Sequence, residues 1–337
     1  MSLCILFTFS FVFYQMPRSD KLMANQSEVF EFILIGFPGL PQRFYHFASL
    51  TMFLVYTIAL TANGTVILLI TFREHLHHPM YLIIMNLSLS DLIFDTITLP
   101  KAIAMYWIAD GKISLGACMF QLFGVHFLGS FDSFIIMLMA IDRYVAICKP
   151  LRYSSIITNK MTVFLCCLLW LIAGMFGLAT VLLTARLSFC NSKINHCFCN
   201  NAVVILLSCV DSHSTHSVAF ILAMIVLLIP LSFIIFSYAI IIRTISTSRG
   251  SENWQKAFYT CSTHLFVIGM YYVPRLFVYA CNQLRLILNA DLNIFLLCLY
   301  TFVPHLASPI IYCLRTKEIK KTLKNIFNRN QQIKASL

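Results

Sequence analysis

Apolar runs dominate this chain and are interrupted only by short polar stretches. Seven of the runs reach the roughly 20 residues that a helix needs to cross a bilayer. They fall near His46–Phe72, Met80–Tyr106, Ala117–Ala146, Met161–Thr184, His216–Arg243, Lys256–Cys281 and Leu292–Leu314. The second, fifth and sixth contain Pro100, Pro230 and Pro274. Proline is tolerated inside a spanning helix because neighbouring helices and water satisfy the backbone groups it frees. No stretch between the runs reads as a soluble domain, a long repeat or a low-complexity linker. The pattern predicts an all-α membrane protein, a seven-transmembrane helix bundle over residues 46–314, preceded by a segment 1–45 and followed by a tail 315–337.

Two flanking stretches add to this. In "RTKEIKKTLKNIF", which follows Leu314, Ile319, Leu323, Ile326 and Phe327 share one helical face and the lysines lie elsewhere. That spacing predicts a short amphipathic helix on the membrane surface. Leu3–Phe13 is apolar but too short to span. It lacks the basic start and small-residue cleavage site of a signal peptide. It reads as part of an upstream extension, with Met23 as the true start.

Composition reinforces the membrane reading. The 337 residues are 59% hydrophobic and 11% charged, with mean hydropathy +0.82. A soluble domain carries about 25% charged residues, and a soluble core cannot hide that deficit because its surface still needs polar cover. The net charge of +11 raises the possibility of nucleic acid, but no aromatic-basic ribbon, zinc finger or basic helix supports it. Cytoplasmic loops collect Lys and Arg, and the bases here segregate accordingly. One set of connections carries Arg73, then Arg143, Lys149, Arg152 and Lys160, then Arg243, Arg249 and Lys256, and the tail adds seven more, Arg315 to Lys334. The other set holds fewer bases, among Asp20, Glu28, Glu31, Asp110, Asp211 and Asp291. The expected orientation is therefore multi-pass in the plasma membrane, N-terminus outside and tail in the cytosol. An Asn25-Gln26-Ser27 sequon fits an exposed N-terminal segment, whereas those at Asn63 and Asn86 fall inside spans and are expected to be silent.

Several residues carry candidate chemistry. The apolar run Phe134–Ile141 ends on Asp142-Arg143-Tyr144, an acid and a base side by side where the third span meets its polar edge. A charged pair there can simply anchor the helix at the interface. Asp91 and Asp132 lie well inside spans, where a bare carboxylate is costly and points to function. Thirteen cysteines are scattered along the chain, most in apolar runs where Cys acts as a small hydrophobe. Cys118 begins the third span, and Cys190, Cys197, Cys199 and Cys209 lie in the long loop after the fourth. In an oxidising compartment these five allow many pairings, and spacing alone does not choose. "HCFCNN" (His196–Asn201) offers soft metal ligands.

Four stretches resemble one family in order. "MAIDRYVAICKPLRY" (Met139–Tyr153) is similar to the end of the third helix and second inner loop of vertebrate olfactory receptors, within the rhodopsin-like G-protein-coupled receptors. "HHPMYLIIMNLSLSDL" (His77–Leu92) resembles their second helix, "KAFYTCSTHLFVIGMYY" (Lys256–Tyr272) their sixth, and "FILIGFPGL" (Phe32–Leu40) the N-terminal signature of the class I, fish-like branch. Two departures stand out. Ser308-Pro309-Ile310-Ile311-Tyr312 has serine where the seventh helix usually carries Asn, and a hydroxyl reaches less far than an amide. Lys149 also stands where the family often has Asn.

The resemblance implies roles. Asp142, Arg143 and Tyr144 would form a latch for G-protein coupling, in which Arg143 pairs with its neighbour in the closed state and its guanidinium fork accepts a partner in the open one. Ser308, Pro309 and Tyr312 would belong to the same switch. Asp91 and Asp132 would face each other, holding a sodium ion, with a protonated, metal-free pair as the competitor. The family pattern implies disulfides Cys118–Cys199 and Cys190–Cys209, leaving Cys197 over. That pairing, with Asn200 where the family often has an acid, counts against a metal at "HCFCNN". His126, Gly129 and Ser130 on the third helix, with Tyr272 and Tyr279 on the sixth, would line an odorant pocket, although each could equally serve helix packing. His264 belongs nearer the cytosol.

The expected function is an odorant receptor that binds small, largely apolar molecules and activates a stimulatory, olfactory-type heterotrimeric G protein to raise cyclic AMP. It needs no cofactor beyond the sodium ion, and its other contact is membrane lipid. An endogenous metabolite or fatty acid outside the nose is the alternative ligand source. The rival from a different class is an ion-coupled transporter or channel with Asp91 and Asp132 as its ion path; a transporter would show inverted repeats, which the chain lacks, and an enzyme would need a nucleophile, base and oxyanion donors together, which do not assemble.

Overall fold

The computed structural model describes residues 31–210, 212–247, 252–283, 289–315 and 318–322. Asn25, Leu3–Phe13, Leu323, Ile326 and Phe327 lie outside them. Among the described residues there are seven long helices: α1 (Tyr45–Phe72), α2 (Pro79–Trp107), α3 (Leu115–Cys148), α4 (Asn159–Ala185), α5 (His213–Thr247), α6 (Glu252–Gln283) and α7 (Ala290–Arg315). All seven are long and apolar enough to cross a membrane. They match the seven apolar runs in order, and several extend a few residues past them because a helix does not stop where the lipid does. Local chemistry sets some of the starts. Pro79 opens α2, where its missing N–H is no loss. Ser114 caps α3 by accepting from the Ala117 N–H at 3.3 Å, and Thr158 caps α4 by accepting from Met161 at 3.2 Å.

The spans differ sharply in enclosure. α3 is the most buried and α5 the least. Around α3 the aromatic side chains form a continuous core. Trp170 of α4 stacks on Phe131 of α3 with centroids 3.9 Å apart, and its indole N–H donates to Asn86 Oδ1 of α2 at 3.0 Å. Gly177 of α4 lets the helices approach closely, since a Cβ there would lie 2.9 Å from the Phe127 Cβ. Polar ties join other pairs: Ser49 donates to Ile103 O at 3.0 Å, and Asn63 Nδ2 to His305 O at 3.1 Å. Asn63 and Asn86 are both buried and bonded. Phe47, Phe53, Phe164, Phe236 and Phe266 point outward, an apolar belt suited to lipid.

The hydropathy pattern gave no sign of a small sheet that closes one end of the bundle. β1 (Glu31–Leu34) lies between β2 (Lys112–Ser114), antiparallel to it, and β3 (Lys193–Ile194), parallel to it. Phe32 and Leu34 bury one face of β1. The turn after it needs Gly36, at φ +71°, because a Cβ would strike the Tyr106 hydroxyl. That hydroxyl accepts the Phe37 N–H at 2.8 Å. At the opposite end, residues 318–322 are helical, with Ile319 and Thr322 buried and Glu318, Lys320 and Lys321 exposed. His75 Nε2 and Thr322 Oγ1 lie 3.0 Å apart there.

Candidate functional site

A cavity of about 120 Å³ opens below the sheet end, between α3, α5, α6 and α7. His126, Gly129 and Ser130 line it from α3, and Tyr279 from α6. Tyr272 does not line it. Adjacent residues on a helix point about 100° apart, so Tyr271 takes that place and donates to Gly129 O at 2.7 Å. Tyr272 turns toward α3, its hydroxyl 2.8 Å from Ser133 Oγ. Ser133 also donates to Val226 O at 2.8 Å, so this one hydroxyl joins α3, α5 and α6 beside the cavity. Arg275 also lines the cavity and did not figure among the expected site residues. The signal was present, since an ionisable side chain within a span marks function as Asp91 and Asp132 do.

A polar centre lies deeper in the bundle. Asp91, Asp95, Asp132 and His305 are all buried. His305 Nδ1 is 2.8 Å from Asp95 Oδ1, while its Nε2 is 3.5 Å from Asp91 Oδ1 and 3.8 Å from Asp132 Oδ2. Ser90 donates to Asp132 Oδ1 at 2.6 Å. Asp91 and Asp132 thus lie in one cluster, and His305 Nε2 approaches both. Asp91, Asp132 and His305 each present a ligand atom within 4.8 Å of the others. The two carboxylates offer the hard oxygens that sodium takes. His305 approaches the same oxygens, and the adjoining cavity is only about 10 Å³, close to the least that holds a single water. A cation placed there would have to share the two acids with His305. A lone His in the seventh apolar run gave no hint of this, because the acids it meets lie on two other helices.

At the far end, Arg143 Nε is 3.9 Å from Asp142 Oδ2, too long for a hydrogen bond. Asp142 Oδ1 instead accepts from the Tyr153 hydroxyl at 2.8 Å. Burial, and then the Asp142 charge, push the Tyr153 phenol above its ordinary range. Arg143 Nε and Nη2 are buried without a hydrogen-bond partner. Tyr144 is half-buried against the core. Tyr312 of α7 reaches Met139 Sδ at 3.4 Å and lies 6.0 Å, ring to ring, from His264. Ser308 lines the small cavity by the acids rather than the Arg143 end, one turn before Tyr312, with Pro309 between them.

Two disulfides shape the sheet end, Cys118–Cys199 and Cys190–Cys209. The first ties the long loop to α3, and Gln121 Oε1 accepts the Cys199 N–H at 2.8 Å beside it. Cys197 is free and buried. His196 Nδ1 accepts the Phe198 N–H at 3.2 Å, and burial lowers its pKa to about 4. The disulfide takes Cys199 out of "HCFCNN", which leaves His196 Nε2, buried without a partner, and the free Cys197.

Comparison with known proteins adds a consistent result. The model of a family described as olfactory receptor matches residues 52–330. Among similar relatives, Olfactory receptor 6B1 of Homo sapiens is 37% identical over 307 residues, 90% of this chain and 96% of that protein. Olfactory receptor 1 of Rattus norvegicus is 36% identical over 305 residues, covering 90% and 96%. Among solved structures, squid rhodopsin superposes with a TM-score of 0.69 at 17% identity, covering 87% of each chain. At that identity the likeness concerns the fold alone.

Proposed function

This chain belongs to the olfactory receptor family, a group of rhodopsin-like seven-helix receptors rather than enzymes, and from that premise we propose that it reports a small organic molecule with a largely apolar body to a stimulatory, olfactory-type G protein that raises cyclic AMP. The ligand enters the cavity between α3, α5, α6 and α7 and touches His126, Gly129, Ser130 and Tyr279. The bundle sits in the plasma membrane with the sheet and disulfide end outside. Asn25 is glycosylated on that side.

No chemical step is needed. The ligand must bind one arrangement of the helices better than another, and a coupling of about 1–3 kcal/mol is typical. Ser133, held between Val226 and Tyr272, is placed to register a shift of α6 against α3 and α5. The reading rests chiefly on Arg143, a partly buried guanidinium whose Nε and Nη2 lack a hydrogen-bond partner, at the opposite end from the cavity. Such groups want acceptors, and a G protein's backbone carbonyls supply them once α6 swings away. Asp142 and Tyr144 flank that site, and Ser308, Pro309 and Tyr312 carry the change along α7.

The test is a cyclic AMP assay in cells expressing the receptor, screened against an odorant panel beside Arg143→Ala. The variant reaches the cell surface and loses the ligand-driven signal. Normal signalling by Arg143→Ala defeats the latch.

A further inference from the structure

We propose that Cys197 and Cys298 are a redox pair that closes as a third disulfide, strapping the long loop to α7 as Cys118–Cys199 straps it to α3. This goes beyond the receptor reading and depends on neither its ligand nor its G protein.

Both cysteines are free. Cys197 belongs to the loop and is 1% exposed, whereas Cys298 stands about two turns into α7. The Cys298 thiol hydrogen-bonds the Cys197 sulfur. The Tyr106 hydroxyl of α2 reaches the same sulfur. The next loop residue repeats the contact one turn further along α7. Phe198 packs edge-on against Phe302 with centroids 6.2 Å apart, and Cys298 and Phe302, four residues apart, share one helical face. Two consecutive loop residues thus meet one stripe of one helix. The approach of the two sulfurs belongs to the docked loop and not to a single stray side chain.

Most cysteines in this chain serve as small apolar residues within spans. Cys197 does not fit that role. Among the described free cysteines it alone lies outside the long helices. Its end of the bundle already holds Cys118–Cys199 and Cys190–Cys209, and thiols held in contact where disulfides form are poised to join.

The step is thiol–disulfide exchange. The oxidant is a disulfide carrier of the secretory compartment, a protein or glutathione disulfide. Cys197 attacks it as a thiolate while the loop is still undocked, forms a mixed disulfide and releases one carrier thiol. Docking then brings the Cys298 thiolate to the Cys197 sulfur, where it expels the second carrier thiol. One S–S bond forms in the receptor and one is lost from the carrier. Two electrons pass to the carrier, and the two protons of the receptor thiols end on its two new thiols. Burial of Cys197 keeps a bulky oxidant out afterwards, so the bond is set during docking.

The product is a short covalent bridge. Cys118 of α3 joins Cys199, Phe198 lies between, and Cys197 joins Cys298 of α7. Phe198 and Asn200 line the cavity, so the bridge fixes that stretch of its wall against both helices.

The experiment lyses receptor-expressing cells directly into acidic denaturant, which stops exchange. Free thiols are then alkylated with N-ethylmaleimide, and the digest is read by mass spectrometry without reduction. The expected species joins the Cys197 and Cys298 peptides, with neither cysteine alkylated. In Cys298→Ser, Cys197 becomes alkylated while Cys118–Cys199 persists. In Cys197→Ser, Cys298 becomes alkylated. Alkylation of both cysteines in the unmodified receptor, or a bond from Cys197 to any other cysteine, overturns the proposal. If neither variant folds, the peptide map of the unmodified receptor decides.

Discussion

His305 meets three buried acids through two ring nitrogens. Removing one member of a buried charged group leaves the others uncompensated, typically destabilising by about 3–5 kcal/mol. His305→Leu should therefore lower the melting temperature of the purified receptor. The variant also removes the imidazole nitrogen that approaches Asp91 and Asp132. Its stability should then depend on sodium, falling when choline chloride replaces sodium chloride, while the unmodified receptor is nearly indifferent to the exchange. A sodium-insensitive variant would mean that the acids hold no ion. Residue-scale chemistry was only partly legible in the sequence. Asp91 and Asp132 stood out because acids are rare in apolar runs. Asp95 carries the same signal in the same run as Asp91 and was passed over, whereas His305 acquires meaning only from partners on other helices. The choice between Tyr271 and Tyr272 was a question of helical phase, which hydropathy along a uniformly apolar span does not fix.

At the scale of elements, the α3–α4 contact shows why burial differs so much between spans. Gly177 sits where the Phe127 Cβ would be 2.9 Å and its backbone nitrogen 3.1 Å from any added Cβ. Gly177→Val must push the two helices apart, and overpacking of this kind costs about 1–3 kcal/mol. A lowered melting temperature checks this. Phe127→Ala should not rescue it, because alanine keeps the Cβ and backbone that clash. Rescue would show that the ring, not the helix approach, is limiting. The seven helices were readable because each needs a long continuous run to satisfy its backbone in lipid. The sheet was not, because β1, β2 and β3 are two to four residues long. Their partners are also far apart in sequence, as in Phe32 with Ile113 and Ile33 with Lys193, so no local periodicity announces them.

Across the whole molecule, two independent features separate the ends. Arg73, Lys149, Arg152 and Lys160 lie in the connections at the Arg143 end, as cytoplasmic loops require. Both disulfides and the sheet gather at the other end, as an oxidising compartment requires. Charge and redox chemistry are unrelated constraints, and both favour the proposed orientation with the Arg143 end inside. An odd number of crossings then forces the termini apart. An epitope fused ahead of Glu31 should stain intact cells, and one fused after Leu337 should stain only after permeabilisation. The Cys190–Cys209 bond makes the assignment stricter. Cys190 is exposed, so a membrane-impermeant reductant should open this bond in intact cells, whereas it should not if the sheet end faces the cytosol. Staining of both termini in intact cells would place an even number of spans in the bilayer, and cavity and latch could not then serve opposite faces of the membrane.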